Sequence, residues 1–244
     1  MGQTIEIDAP AGRAEAYLTG AAGTPGVLFH IDVIGLRPRI EEMADRIAGW
    51  GYTALAPNAF YRLGRAADLR PTADLRIEEN RTAFFRTAGS RSGELTPDLS
   101  DADATAWVEA LAEHAPGPIG VTGYCMGARL AVRTACLHPE VVAACGGFHG
   151  GGLASDDATS PHRLLGRARA EFVFGHADQD PSMPPEQIER LGKSLAAAGL
   201  TATNEVYAGA AHGYTMADGA RYDEAATERH FAALESLFAR TLGR

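Results

Sequence analysis

The chain has 244 residues, 45% of them hydrophobic, with three cysteines and a formal charge of -9 at pH 7. That length and apolar fraction fit one domain with a sizeable core. The acid excess speaks against a nucleic-acid partner, and three cysteines without CxxC spacing speak against a disulfide framework or a thiolate zinc site.

The start, "MGQTIEIDAP", lacks the basic opening and apolar run of a signal peptide, and no apolar stretch approaches the roughly 20 residues needed to cross a bilayer. A cytoplasmic setting without membrane contact is expected. "TIEID" (4–8) and "AEAYLTG" (14–20), separated by Pro-Ala-Gly, read as an antiparallel opening hairpin. "GVLFHID" (26–32) reads as a buried strand. The apolar positions 40, 43, 47 and 50 then mark a helix that stops at Gly51. "YTALAPN" is the next strand. Later strands are "IGVTGY", "VVAACGGF", "EFVFGHA" and "TNEVYAG", with helices near 126–138, 184–199 and 221–241. About eight strands alternating with helices predict an α/β fold, a mostly parallel sheet covered on both faces in a single domain spanning 1–244.

The segment 59–100 breaks this rhythm. Long connections are usually functional, and this one reads as a lid with short helices. Between 62 and 91 it holds seven Arg against four acids, a local +3 that leaves -12 for the rest of the chain. It is therefore where an anion would be met. Tyr61 and Arg62, following "PNAF" at a strand end, are placed by the sequence either facing a pocket or in a surface turn.

"PIGVTGYCMGARLAVRTACL" is an apolar strand, a turn flanked by Gly123 and Gly127, and a helix. In such a nucleophile elbow the apex residue occupies a strained turn, and the glycines remove side chains that would collide. Cys125 is the apex, with the positive end of the helix dipole behind its sulfur. Cys136 and Cys145 read instead as small buried side chains.

A nucleophile of this kind needs an acid and a histidine further along the chain, in that order. "EFVFGHADQDP" supplies Asp178 and Asp180, and "VYAGAAHGYT" supplies His212. Both loops follow strand ends, where open α/β sheets build their sites. Asp178 is preferred as the acid because Asp180 precedes Pro181, where the backbone turns extended and away. Oxyanion donors come from the residue after the nucleophile and from the loop after the third strand, here the amides of Met126 and Val33. His149, in "FHGGG", stands either at the site rim or in a structural role, Tyr124, beside the nucleophile, either packs or lines the cleft, and His176 is expected in solvent.

At this point the chain resembles the dienelactone hydrolase family of α/β-hydrolases. The resemblance is carried by "DVIGLRP", "MADRIAGWGYTALAPNAFYR", "GYCMGAR", "GHADQDPSMP" and "YAGAAHGY", in that order over nearly the whole chain. It implies an α/β-hydrolase fold and hydrolysis of a small-molecule carboxylic ester or lactone without cofactor or metal. It also implies a Cys125, Asp178, His212 triad, with Asp32 as the acidic residue that meets the resting thiol. Where lactone-cleaving members carry a carboxylate-binding Arg four residues after the histidine, this chain has Met216. A monomer or homodimer fits these features.

Other readings make different demands. A thiol redox or sensor protein needs a resolving thiol, and Cys136 lies about 16 Å along the helix axis from Cys125, too far for a disulfide. Metal binding by His149, His176, Asp178 and His212 lacks HxH or HExxH spacing. A catalytically idle binding member of the same fold is the remaining reading.

Overall fold

A computed structural model describes residues 2–243. Strands β1 (Gln3–Ala9), β2 (Gly12–Thr19), β3 (Gly26–His30), β4 (Thr53–Pro57), β5 (Ile119–Tyr124), β6 (Val142–Phe148), β7 (Glu171–Ala177) and β8 (Ala202–Tyr207) form one sheet in the order β1-β2-β4-β3-β5-β6-β7-β8. The opening hairpin is antiparallel to itself and to β4, and every pairing from β4 to β8 is parallel. The strand expectations hold to within about two residues.

Each parallel strand sends alternate side chains to opposite faces, so the sheet carries a core on both sides. On one face Val27, Phe29 and Val173 meet α1 (Pro38–Gly49) and α8 (Glu224–Thr241) through Ile40, Met43, Ile47, Phe231, Leu234 and Phe238. On the other, Leu28, Val121, Phe172 and Phe174 meet α5 (Pro97–Ala112), α6 (Met126–Leu137) and α7 (Pro185–Ala197). Burying each large aliphatic or aromatic side chain contributes about 1.5–3 kcal/mol. Loss of one such stripe would release a whole helix.

Helix α8 starts at Glu224, three residues later than the apolar pattern suggested, because the Asp223 side chain accepts the Ala226 amide at 2.9 Å and fixes the cap there. Helix α5 was not anticipated. It is announced by Thr96, whose hydroxyl caps the Leu99 amide, and by Pro97 in the first turn.

The segment 59–100 folds into α2 (Ala66–Leu69), α3 (Glu78–Ala88), α4 (Arg91–Glu94) and the start of α5. Two attachments hold it over the carboxyl ends of the strands. Leu75 pairs with Gly219 in an isolated parallel bridge. Arg91, 9% exposed, donates to the carbonyls of Ile34 at 3.2 Å and Leu69 at 2.9 Å. Among the described residues, no helix is long and apolar enough to cross a membrane.

Candidate active site

Cys125 stands between β5 and α6 at φ 55° and ψ -120°, a left-handed conformation that a side chain rarely adopts. The turn is possible because its neighbours are glycines. A Cβ on Gly123 would lie 2.0 Å from the Gly127 carbonyl oxygen, and one on Gly127 would lie 2.4 Å from that of His30. The Cys125 amide donates to the Phe148 carbonyl at 3.1 Å, tying the apex to the end of β6.

His212 follows β8 and has two side-chain neighbours that matter. Its Nδ1 is 2.6 Å from Asp180 Oδ2, and the ring shares the cavity with Cys125, whose side chain is near enough to raise its pKa. Burial pulls the His212 pKa down, but the bond to Asp180 and then the nearby Cys125 side chain outweigh it and carry the pKa up to about 10. Asp180 responds in the opposite direction. Burial pushes it up, while hydrogen bonds from His212 and Ser182 outweigh that and bring it to about 2.

The acid is therefore not the one expected. Asp178 lends Oδ2 to the Gly209 amide at 2.9 Å and its own amide to the Ala210 carbonyl, fastening the two loops together. Gln179, at φ 52°, reverses the chain between the two aspartates. Pro181 does not turn Asp180 away. The Asp180 carboxylate accepts from the Ser182 amide at 2.9 Å and hydroxyl at 2.7 Å, an Asx turn across the proline that aims its other oxygen at His212.

Asp32 also has a different partner. Its carboxylate takes both Arg37 Nη1 at 2.7 Å and Nη2 at 3.0 Å, and the amides of Ile34 and Gly35. Arg37 in turn reaches Asp218 and Met216 Sδ. Burial works against the guanidinium charge, and the facing Asp32 and Asp218 outweigh it and raise its pKa. This buried cluster ties the Val33 loop to the loop that follows His212. The sequence did contain its signal, since Arg37 sits inside "DVIGLRP", but an arginine next to a proline gives no indication of what it faces.

Tyr61 and Arg62 do not join the site. Both bind Asp103 on α5, the phenol at 2.9 Å and the guanidinium at 2.6 and 2.8 Å. Tyr124 packs: it is fully buried, stacks on Phe29, and its hydroxyl lies 3.0 Å from His230 Nε2. His230 Nδ1 faces the Thr227 carbonyl, which only accepts, so Nε2 is the acceptor of the Tyr124 hydroxyl. His176 is buried rather than solvated and bonds Asn204 Oδ1 at 2.7 Å. His149 is not at a rim but in the wall, fully buried at φ 38°, with Nε2 2.8 Å from Thr215 Oγ1 and its ring 5.3 Å from that of His212. Burial keeps it neutral, well below the usual histidine range.

Cys125, His149 and His212 open into a cavity of about 390 Å³ together with Asp32, Val33, Met216 and three residues of the 59–100 segment, Leu75, Arg81 and Phe85. Arg221, from the loop before α8, completes a second basic edge. Among the described residues neither Arg81 nor Arg221 has a side-chain hydrogen bond or ion pair. No group of His, Cys, Asp or Glu among them is arranged to hold a metal ion.

A mostly parallel eight-stranded sheet with a cysteine elbow after β5 and a histidine loop after β8 defines an α/β-hydrolase. Residues 14–242 match the dienelactone hydrolase family, and the chain belongs to that family and is a hydrolase. The carboxymethylenebutenolidase of Rhodococcus opacus is 26% identical over 197 residues, covering 80% of this chain and 71% of the relative. Among solved structures, one titled m3DLH superimposes with a TM-score of 0.79 at 22% identity, covering 100% of this chain and 99% of the other. The dienelactone hydrolase of Anabaena variabilis gives a TM-score of 0.64 at 15% identity, covering 99% of this chain and 98% of its own.

Proposed function

We propose that the protein hydrolyses carboxylic esters or lactones through a thiol nucleophile, Cys125, with His212 as its base and acid and Asp180 as the group that orients the imidazole. The observation that carries this is the bond from Asp180 to His212 in the same cavity as Cys125, which stands at the apex of the strained turn.

The sulfur, its proton held by His212, attacks the acyl carbon, and the carbonyl electrons move onto oxygen. The amide of Met126, which as the first residue of α6 has no partner within its helix, and the amide of Val33 stabilise that oxyanion. Collapse breaks the carbon–oxygen bond as His212 returns the proton to the departing alkoxide. Water then gives a proton to His212, attacks the thioester, and releases the acid and the thiol.

Lining the cavity, Arg81 and Arg221 face the substrate with two uncompensated guanidinium groups, beside the apolar Leu75, Phe85 and Met216. This favours an ester or lactone that carries a carboxylate, consistent with the name of the Rhodococcus opacus relative. The other two thiols are poor redox partners for Cys125. Burial pushes Cys136 up to about 12 and Cys145 well above the usual range.

A panel of p-nitrophenyl esters and lactones, with and without a carboxylate, tests the reading against Cys125→Ala. Loss of all hydrolysis with retained circular dichroism is expected. Hydrolysis that continues in the Ala variant would remove the thiol from the mechanism.

A further inference from the structure

The Met126 side chain also lines a second cavity, of about 230 Å³, whose walls come from α4, α5, α6 and the loop 152–161 and do not include Cys125. Arg129 stands three residues after Met126 on α6, so the two share a helix face. It is part-buried, and among the described residues its guanidinium has no carboxylate or carbonyl partner.

Its charged neighbours are all engaged elsewhere. Arg133, also in the wall, is held by Asp101 at 2.7 and 2.6 Å and gives Nη1 to the Thr159 carbonyl. Asp157 Oδ1 takes both the amide and the hydroxyl of Thr159 at 2.7 Å, with Arg163 close enough to lower its pKa further. Nearby Asp156 is paired with Arg190. Among the described residues Arg129 is thus the cation of this cavity without an ion pair, facing one carboxylate, that of Asp157, which is bonded only by the neutral groups of Thr159.

The hydroxyls around it are also set to donate. Thr96 Oγ1 accepts the Leu99 amide and Ser155 Oγ accepts the Asp157 amide, so each keeps its own hydrogen to give. Gly152, the last glycine of "GGG" at 150–152, which the hydrolytic reading leaves unused, is part of the wall. A Cβ on Gly152 would sit 3.9 Å from Arg129 Nη1, and the Gly152 amide donates to the Ser182 carbonyl at 2.7 Å. Ser182 is the residue that turns Asp180 toward His212.

We propose that this cavity is a binding subsite for an oxyanion, a carboxylate or phosphate group, held by the Arg129 guanidinium with the hydroxyls of Thr96 and Ser155. The group belongs either to the far end of the substrate or to a free small anion. Because binding is read directly, the proposal does not depend on the hydrolytic mechanism.

Calorimetric titration of the intact protein with inorganic phosphate and with acetate, at fixed ionic strength, is the test. Saturable binding is expected in the Arg81→Met background, which removes an anion contact from the cavity of Cys125, and the Arg129 variants are compared in that background. Arg129→Met should weaken it about tenfold or more, the scale of one lost charge-assisted hydrogen bond. Arg129→Lys should also weaken it, since an ammonium cannot reproduce the planar fork. Circular dichroism confirms that each variant folds, as expected at a part-exposed position without partners. If phosphate competes with an anionic ester and leaves a neutral one unaffected, the anion is part of the substrate. If it affects neither, the ligand is a free ion, and both results uphold the subsite. Absence of saturable binding in the Arg81→Met background, or affinity there unaltered by Arg129→Met, would overturn it.

Discussion

Asp180 Oδ2 lies 2.6 Å from His212 Nδ1, while Asp178, two residues earlier, gives its carboxylate to the Gly209 amide. The two aspartates share a loop and differ only in which way the chain turns at Gln179. Asp180→Asn should therefore lower kcat by orders of magnitude, on the scale of about 10⁴-fold seen when a triad acid becomes an amide and selects the wrong tautomer. Asp178→Asn should cost far less, because an amide oxygen can still accept from Gly209. Steady-state kinetics of both variants decide between them, and a greater loss in Asp178→Asn would reverse the assignment.

The alkaline side of the pH profile belongs to His212. Its pKa is raised to about 10, above the ordinary 6.5, so the imidazolium persists through neutral pH and is lost only as pH approaches 10. As general acid it must hold that proton, so kcat/KM should fall near there in the wild type. Removing the Asp180 carboxylate takes away the larger of the raising influences, and the limb should move to lower pH in Asp180→Asn. The stability due to this pair fades above pH 6.5 toward about 10 as His212 loses its proton, and below the ordinary 3.8 toward about 2 as Asp180 gains one. A limb that stays in place in the variant would assign it to another group.

Arg37 is 2% exposed and bridges Asp32 to Asp218. Arg37→Met would leave Asp32 buried and unpaired, a change that costs about 3–5 kcal/mol. Urea denaturation should report that loss. The double variant Asp32→Asn with Arg37→Met should recover part of it, because the uncompensated charge is gone. Equal stability of single and double variants would show that the unpaired Asp32 charge is not the source of the loss.

What the sequence revealed follows from how local each feature is. All eight strands, the elbow at Cys125 and the histidine at 212 are written in short apolar runs, two glycines and a loop position, and each was read without knowledge of its neighbours in space. The acid was misread because the decisive contact, Ser182 closing a turn over Pro181, depends on a side chain two residues on rather than on the proline itself. Asp32 lines the cavity as expected but with a partner the sequence does not show, and Tyr61 and Arg62 stay undecided in the sequence for a related reason. Their partners Arg37 and Asp103 were visible as residues, but charge complementarity does not say which pair meets when the chain has twenty-two basic and thirty-one acidic residues to choose from.

The last prediction concerns how an anionic substrate is recognised. The local charge of the 62–91 segment alone would give only a long-range attraction, one that fades as salt rises from about 0.01 M to 0.15 M and the screening length falls from about 30 Å to 8 Å. The structure divides that charge more finely. Arg62 is held by Asp103, Arg65 by Glu6 and Glu15, and Arg76 by Asp74, whereas Arg81 lines the cavity of Cys125, as Arg221 does, with no ion pair among the described residues. A guanidinium at the cavity wall makes short, partly desolvated contacts that salt screens weakly. In kcat/KM for a matched anionic and neutral ester, most of the anion preference should therefore survive at 0.15 M salt, where the screening length is about 8 Å. It should drop about tenfold in Arg81→Met or Arg221→Met, the scale of one charge-assisted hydrogen bond, with the neutral ester unchanged. Arg62→Met should leave the preference intact. A preference that disappears with salt in the wild type and is indifferent to Arg81 would return recognition to the diffuse field of the lid.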